Sequence, residues 1–345
     1  IRDRPYTEEK IMENLKFGGF KFLARIIFIV FVGLVMVTGF TLPAKAEYPE
    51  RPITIIVPWG AGGGTDTIIR IFATGFEKEM GVPINVVNRT GGNGVVGHAA
   101  IASAKADGYT LGAGTSEITY FKTMGMADIT PASFDLISRL ALIPAGVTVK
   151  NDSPFKSLKE AMEAVKSQPK DTYTASGSGQ GGPWHMAIAG LQKSAGLGTD
   201  RIQWIPSKGG APALQDLVAG GITFFTGSPI EAKTLLSAGE VRQLVIMSEE
   251  RSPAFPEVPT TKEALEIDWA LSNWFSLVAP KGLDPNVKAK IVAAAEKAHA
   301  SAEVQETLAK RGITPLWDGP DKFKSFADGF TVTAAELLKD LGLAK

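Results

Sequence analysis

The residues of this chain best placed to do chemistry are glycines. Four turns carry them: WGAGGGTD (residues 59–66), RTGGNGVVG (89–97), SGSGQGGPWH (176–185) and SKGGAP (207–212). Each follows a short apolar run and precedes a stretch with helical periodicity. Without a Cβ in the way, the backbone N–H groups of such a turn can come close to a bound group. The helix start that follows adds unpaired N–H groups and about half a positive charge. Together these features suit an anion, carboxylate or phosphate. A single such turn would read as simple chain reversal. Four of them at the carboxyl ends of strands read as a ligand site.

Other chemistries find less support. Cysteine is absent, which removes disulfides, thiolate metal sites and cysteine nucleophiles together. His98, His185 and His299 have no mutual metal-ligand spacing. A G-x-S-x-G elbow on Ser178 would need glycine at 176, where the chain has Ser176. No G-x-x-x-x-G-K-[ST] loop occurs, and no spacing suggests paired carboxylates. Gly92, Gly94 and Gly97 match G-x-G-x-x-G, and Glu117 stands near where a ribose-binding acid could sit. That motif follows the second strand of its unit rather than the first, and an exported chain meets little dinucleotide. The expectation is therefore binding without a cofactor or metal. The rival is an exported α/β enzyme, hydrolase-like or dinucleotide-dependent.

Within the turns, Gly63, Gly64 and Thr65 are expected to offer N–H groups, and Thr65 a hydroxyl, to a carboxylate. Thr65 has a second reading as a helix cap. Asp66 suits a first helical turn whatever the ligand, and would face an anion only if the ligand also carried an ammonium. Thr115 and Ser116 are either hydroxyl donors at a strand end or ordinary turn residues. Ser176, Ser178 and Gly179 head the third turn, and at least one of the three is expected on the ligand. His185 is expected to hold that turn by hydrogen bonding rather than act as an acid or base. Lys208 could bring charge, while Gly209 and Gly210 point to backbone contacts. Trp59 and Trp184 flank two turns, as core or as walls for a flat ligand.

These turns need a scaffold, and the rest of the chain supplies one. It has 345 residues, with Lys+Arg and Asp+Glu equal at 36 each and 44% hydrophobic residues. That suffices for two modest domains, and nothing marks a nucleic-acid surface. Lys16, Lys21 and Arg25 precede an uncharged stretch over 26–44, then Ala44-Lys45-Ala46. Residues 1–46 thus read as an export signal, with an uncleaved anchor as the alternative. Without them the balance is 29 basic against 32 acidic residues. Strands are expected at 53–59, 84–89, 110–115, 172–176, 202–207, 222–226 and 241–248. Helices are expected at 66–80, 95–105, 158–167, 184–195 and 211–219. Such alternation predicts parallel sheets covered on both faces. Two extended runs, 134–149 and 273–280, break it, and only helices are expected afterwards, near 285–311 and 321–341. The topology that fits is two α/β lobes, 47–147 plus 274–345 and 148–273. The extended runs would be paired crossing strands acting as a hinge, and the cleft between the lobes the ligand site.

Taken together, YPERPITIIVPWGAGGGTD, VVNRTGGNGVVGHAAIASAKADGYTLGAGTS, SKGGAPALQDLVAGGI and ERSPAFPEVPT resemble the substrate-binding proteins of tripartite tricarboxylate transporters, the Bug family. The resemblance runs from Tyr48 to the C-terminus. It implies a two-lobed periplasmic binding fold of type II-like form, closing on a small carboxylate. It implies delivery of that ligand to membrane permease subunits, with the chain expected to act as a monomer. A sensing subunit for a membrane receptor is the other reading. The family's ligand loops map onto Gly62 to Asp66, Thr115 and Ser116, the 176–185 turn and the Lys208–Gly210 turn. Many members carry Phe-Pro-Pro or similar where this chain has Trp59-Gly60-Ala61. The Ser-rich stretch before the family's loop histidine is here Gly181-Gly182-Pro183-Trp184. The ligand's identity therefore does not follow: mono- or dicarboxylate, aromatic acid and amino acid all stay open.

Overall fold

A computed structural model describes residues 48–345, so the export segment expected over 1–46 lies outside the described residues. Pro49–Lys345 forms one compact unit. It opens with β1 (Ile53–Val57), α1 (Gly64–Met80), β2 (Ile84–Asn88), α2 (Val95–Ala102) and β3 (Thr110–Thr115). A long strand, β4 (Phe134–Lys150), follows. Next come α3 (Leu158–Ser167), β5 (Thr174–Ser176), α4 (Pro183–Ser194), β6 (Gln203–Trp204), α5 (Gly210–Ala219), β7 (Phe224–Gly227), α6 (Lys233–Ser237) and β8 (Val241–Met247). The chain ends with α7 (Thr261–Leu265), β9 (Ser272–Pro280), α8 (Pro285–Ala300), α9 (Ala302–Lys310), β10 (Thr314–Asp318) and α10 (Pro320–Asp340).

Two parallel trios anchor the two lobes. β2-β1-β3 form one, and β6-β5-β7 the other. Both trios join antiparallel strands, so each lobe's sheet is mixed. β9 lies antiparallel to β3 and to β4, and β4 continues into the second lobe, antiparallel to β7 and β8. β4 is thus one strand shared by two sheets. The return passage is shorter. Leu271 bonds to Met247 and Ala145 just before β9 begins, and Ser272 pairs with Pro144. The two chain passages therefore lie side by side between the lobes.

Local sequence explains the elements. Ile53, Ile55 and Val57 on β1 are fully buried, as is usual for a strand covered on both faces. On α1, Ile68, Ile69, Phe72 and Phe76 form the buried stripe of an amphipathic helix. Ser157 caps α3 by accepting the Glu160 N–H, and Asp284 caps α8 through Asn286 and Val287.

Three expectations for the elements need correction. The helical region near 285–311 is two helices, because Ser301 is extended and its hydroxyl accepts the Val304 N–H, which caps a new start. The C-terminal part is not all helical: β10 pairs antiparallel with β4, Thr314 opposite Leu142. Pro315 hides this strand from a sequence pattern, since proline is confined to strand edges and starts. The strand expected over 202–207 shrinks to Gln203–Trp204, and Pro206 lies just beyond its end.

Candidate functional site and family

The glycine turns converge. Two adjoining cavities of about 480 and 450 Å³ share Trp59, Gly64, Glu117, Ser178, Pro183 and Glu231 in their walls. Gly62 and Thr65 line the first cavity and Gly63 the second. From the other lobe, Gly179, Lys208 and Gly209 line the second. The 89–97 turn adds only Asn93. Asp66, Thr115, Ser116, Ser176, Gly177, His185 and Gly210 do not line either cavity. The structure shows what these seven do instead.

Asp66 is almost fully buried. Its carboxylate accepts the Gly62 N–H at 2.8 Å, the Asn88 amide at 2.8 Å and the Arg70 guanidinium at 3.0 Å. Burial works to raise its pKa, but the hydrogen bonds from Arg70, Gly62 and Asn88 outweigh it and hold the carboxyl below its ordinary value. Asp66 therefore fixes the turn from behind and takes the Gly62 amide away from any ligand. The capping reading of Thr65 is also corrected. The cap position falls on Gly63, and Thr65 stands inside the helix, two residues on.

Thr115 positions an aromatic wall. The Trp59 indole N–H donates to its hydroxyl at 3.3 Å, and that hydroxyl lies 3.4 Å from His98 Nε2. His98 Nδ1 is 2.8 Å from the Gly94 carbonyl, which can only accept, so Nδ1 carries the proton and Nε2 takes the Thr115 hydroxyl. Burial pushes the His98 pKa down to about 4, so this relay runs through a neutral ring. Ser116 is fully buried and donates to Asn273 Oδ1 at 2.9 Å, tying the end of β3 to the start of β9.

In the second lobe, His185 Nδ1 accepts the Gly181 N–H at 3.0 Å, and its ring stacks on Trp204 with centroids 4.6 Å apart. Burial pushes this histidine down to about 4 as well. The Ser178 carbonyl accepts the Ser207 N–H at 2.9 Å, which links the two glycine turns of this lobe. Ser176 is fully buried, and its hydroxyl has no partner among the described residues. Gly177 is required by packing: a Cβ there would stand 1.8 Å from the Thr226 carbonyl oxygen. Trp184 is buried on α4 and forms part of the first cavity's wall.

Several lining residues escaped the sequence reading. Glu117 follows Thr115 and Ser116 directly, yet entered it only as a ribose acid. Glu231 comes from the turn after β7, which has no glycine run. Lys233 and Arg311 line the first cavity, with Ile143, Ile230, Phe275 and Ile313 as its apolar wall. Burial pushes the Glu117 carboxyl up. Glu231 is exposed to the cleft, yet the protein packed around it desolvates its carboxyl enough to push it up. Its carboxylate accepts the Ser228 N–H at 3.3 Å. It also lies over Gly210, where a Cβ would meet its oxygens at 2.5 and 2.7 Å. Glu231 thus rests against the first residue of α5.

In chemical terms the site is a mixed-charge cleft between two lobes. Helix starts and cations can meet an anion, and aromatic and aliphatic side chains can pack on its body.

Comparison with known proteins agrees with this architecture. Residues 68–343 match the model of the tripartite tricarboxylate transporter family receptor. The chain is 31% identical over 301 residues to protein BugT of Bordetella pertussis, covering 86% of this chain and 91% of BugT. The solved periplasmic binding protein BugD superposes with a TM-score of 0.73 at 26% identity, over 86% of this chain and 100% of BugD. The R. palustris protein Rpa4515, solved with adipate, superposes with a TM-score of 0.75 at 25% identity, over 86% of this chain and 99% of its own. The chain belongs to the tripartite tricarboxylate transporter receptor family, the Bug-type solute-binding proteins with the two-lobed fold of periplasmic binding proteins.

Proposed function

We propose that this protein captures a small organic carboxylate in the cleft between its lobes, outside the cytoplasm, and hands it to membrane permease subunits of the tripartite tricarboxylate type. One observation carries this reading: glycine turns at helix starts of both lobes line the same pair of cavities. In lobe I the contributing groups are Gly63, Gly64 and Thr65. In lobe II they are Ser178, Gly179, Lys208 and Gly209. The adipate held by Rpa4515 supports a ligand of this class.

The mechanism is binding without a covalent step. The Gly64 and Thr65 amides, ahead of the first intrahelical bond of α1 from the Thr67 N–H to Gly63, replace water around the anion, while the Gly63 N–H is given to the Gly60 carbonyl and shapes the turn. Ser178 stands within reach of both cavities and can donate its hydroxyl. Trp59, held by Thr115, packs on the ligand's body. Closure pivots on the two neighbouring passages, β4 and the start of β9. The closed form must hold the ligand more tightly than the open one, or capture would not drive closure. The closed pair of lobes then presents the surface that the permease reads.

The test is thermal unfolding of residues 48–345 against a panel of mono-, di- and tricarboxylates, aromatic acids and amino acids. A ligand at 100 times its dissociation constant stabilises the protein by about 2.7 kcal/mol. A panel that leaves the melting curve unmoved throughout overturns the reading.

A further inference from the structure

The cleft carries two acids where an anion is to bind. Glu117 enters from the turn after β3 in one lobe and Glu231 from the turn after β7 in the other, and both line both cavities. Glu117 is 8% exposed, and the hydroxyls of Thr115, Ser116 and Tyr120 stand around its carboxylate, the Ser116 one at 3.5 Å. Glu231 takes one amide, that of Ser228. Among the described residues neither acid has a cation partner. Lys208, Lys233 and Arg311 also line the cleft, and none of them makes an ion pair among the described residues. Both signs of charge therefore face the cleft without being spent on each other.

A ligand bearing only carboxylates would meet the cations and the turn amides but would be repelled by the two glutamates. A ligand with an ammonium as well would satisfy both sets. Charge-assisted hydrogen bonds to a carboxylate are the stronger kind, and the buried Glu117 gains most from them. Placing one acid on each lobe also means that a single ammonium could draw the lobes together.

We propose that the ligand is an amino-bearing carboxylate, its carboxylate on the turn amides and cleft cations, its ammonium on Glu231 and Glu117. This rests on the cleft being a carboxylate site and narrows the class that it takes.

Isothermal titration with matched pairs tests it: succinate against aspartate, glutarate against glutamate, adipate against 2-aminoadipate, and 3-phenylpropionate against phenylalanine. The expected result is that the amino member of the best-binding pair binds at least tenfold more tightly. Glu231→Gln or Glu117→Gln should then reduce that ratio to threefold or less, with circular dichroism melts showing that each variant is folded. If the member without the amine binds as well or better, the proposal is overturned while carboxylate capture stands. If the amine helps but neither substitution narrows the ratio, the assignment to these glutamates is overturned. If no member of any pair binds while other carboxylates do, amino-bearing ligands are excluded. If no carboxylate binds, both readings fall.

Discussion

Asp66 in the first turn of α1 and Glu231 against the start of α5 are acids at comparable places, each at a helix that opens on glycine. Their surroundings differ. Asp66 has three hydrogen-bond partners, is buried, and turns away from the cleft. Glu231 has one amide and faces the cleft. The pKa directions follow, down for Asp66 and up for Glu231. Near a helix start, an acid's role is set by how many donors reach it. With several it becomes part of the scaffold, and with one it stays available to a guest.

The comparison can be broken or sharpened by substitution. The largest effect should come from the scaffold of the second lobe. Gly177→Ala would drive a methyl into the Thr226 carbonyl, which as backbone cannot step aside. We expect a loss of more than about 3 kcal/mol in urea unfolding, a severe case of overpacking. A loss under 1 kcal/mol would show that this turn is not rigid.

Next comes Asp66→Ala, which removes the acceptor shared by Gly62, Asn88 and Arg70. It should cost about 1–2 kcal/mol by the same measurement. The pH dependence has a definite sign. A depressed pKa gives stability that is full above the unfolded value near 4 and is lost as pH falls through the folded value. Asp66→Asn should therefore flatten the acid limb of a stability–pH curve. An unchanged limb would detach Asp66 from the scaffold role.

Gly210→Ala is the counterpart in the second lobe. Its methyl would meet the mobile end of the Glu231 side chain rather than backbone. Stability should change by less than about 1 kcal/mol, while ligand capture, read by calorimetry, weakens roughly tenfold. Unchanged affinity would mean that the place Glu231 occupies over α5 is irrelevant to binding.

The smallest effect belongs to Glu231→Gln on stability. A raised carboxyl pKa means that the folded state loses stability as pH rises from the unfolded value near 4.3 through the folded one. The glutamine variant lacks that loss. Its melting temperature at pH 7 should equal or exceed the parent's by no more than about 2 °C. A clear fall would place Glu231 with Asp66 as scaffold.

What the sequence disclosed follows the range of the forces involved. The glycine turns and most strands were legible because strand, turn and helix signals are local. The long run 134–149 was legible as a passage between lobes because no helix signal interrupts it. Glu231, Lys233 and Arg311 were not, because only the packing of distant segments brings them to one cleft. Asp66 was ambiguous for a related reason. Its direction depends on Asn88, from the neighbouring strand β2, as much as on its own helix. β10 was hidden because its partner, β4, lies far away in the chain.

The placement of β9 bears on how the molecule is made. Strand β3 needs it as a neighbour, Gly112 opposite Val278 and Thr115 opposite Phe275, and β4 pairs with it along most of its length. Synthesis must therefore reach Pro280 before the first-written lobe can finish its sheet. The other lobe takes β5 to β8 from one uninterrupted stretch and can settle earlier. Throughout that interval the nascent chain carries a β3 edge with nothing beside it, the kind of edge to which stray chains add.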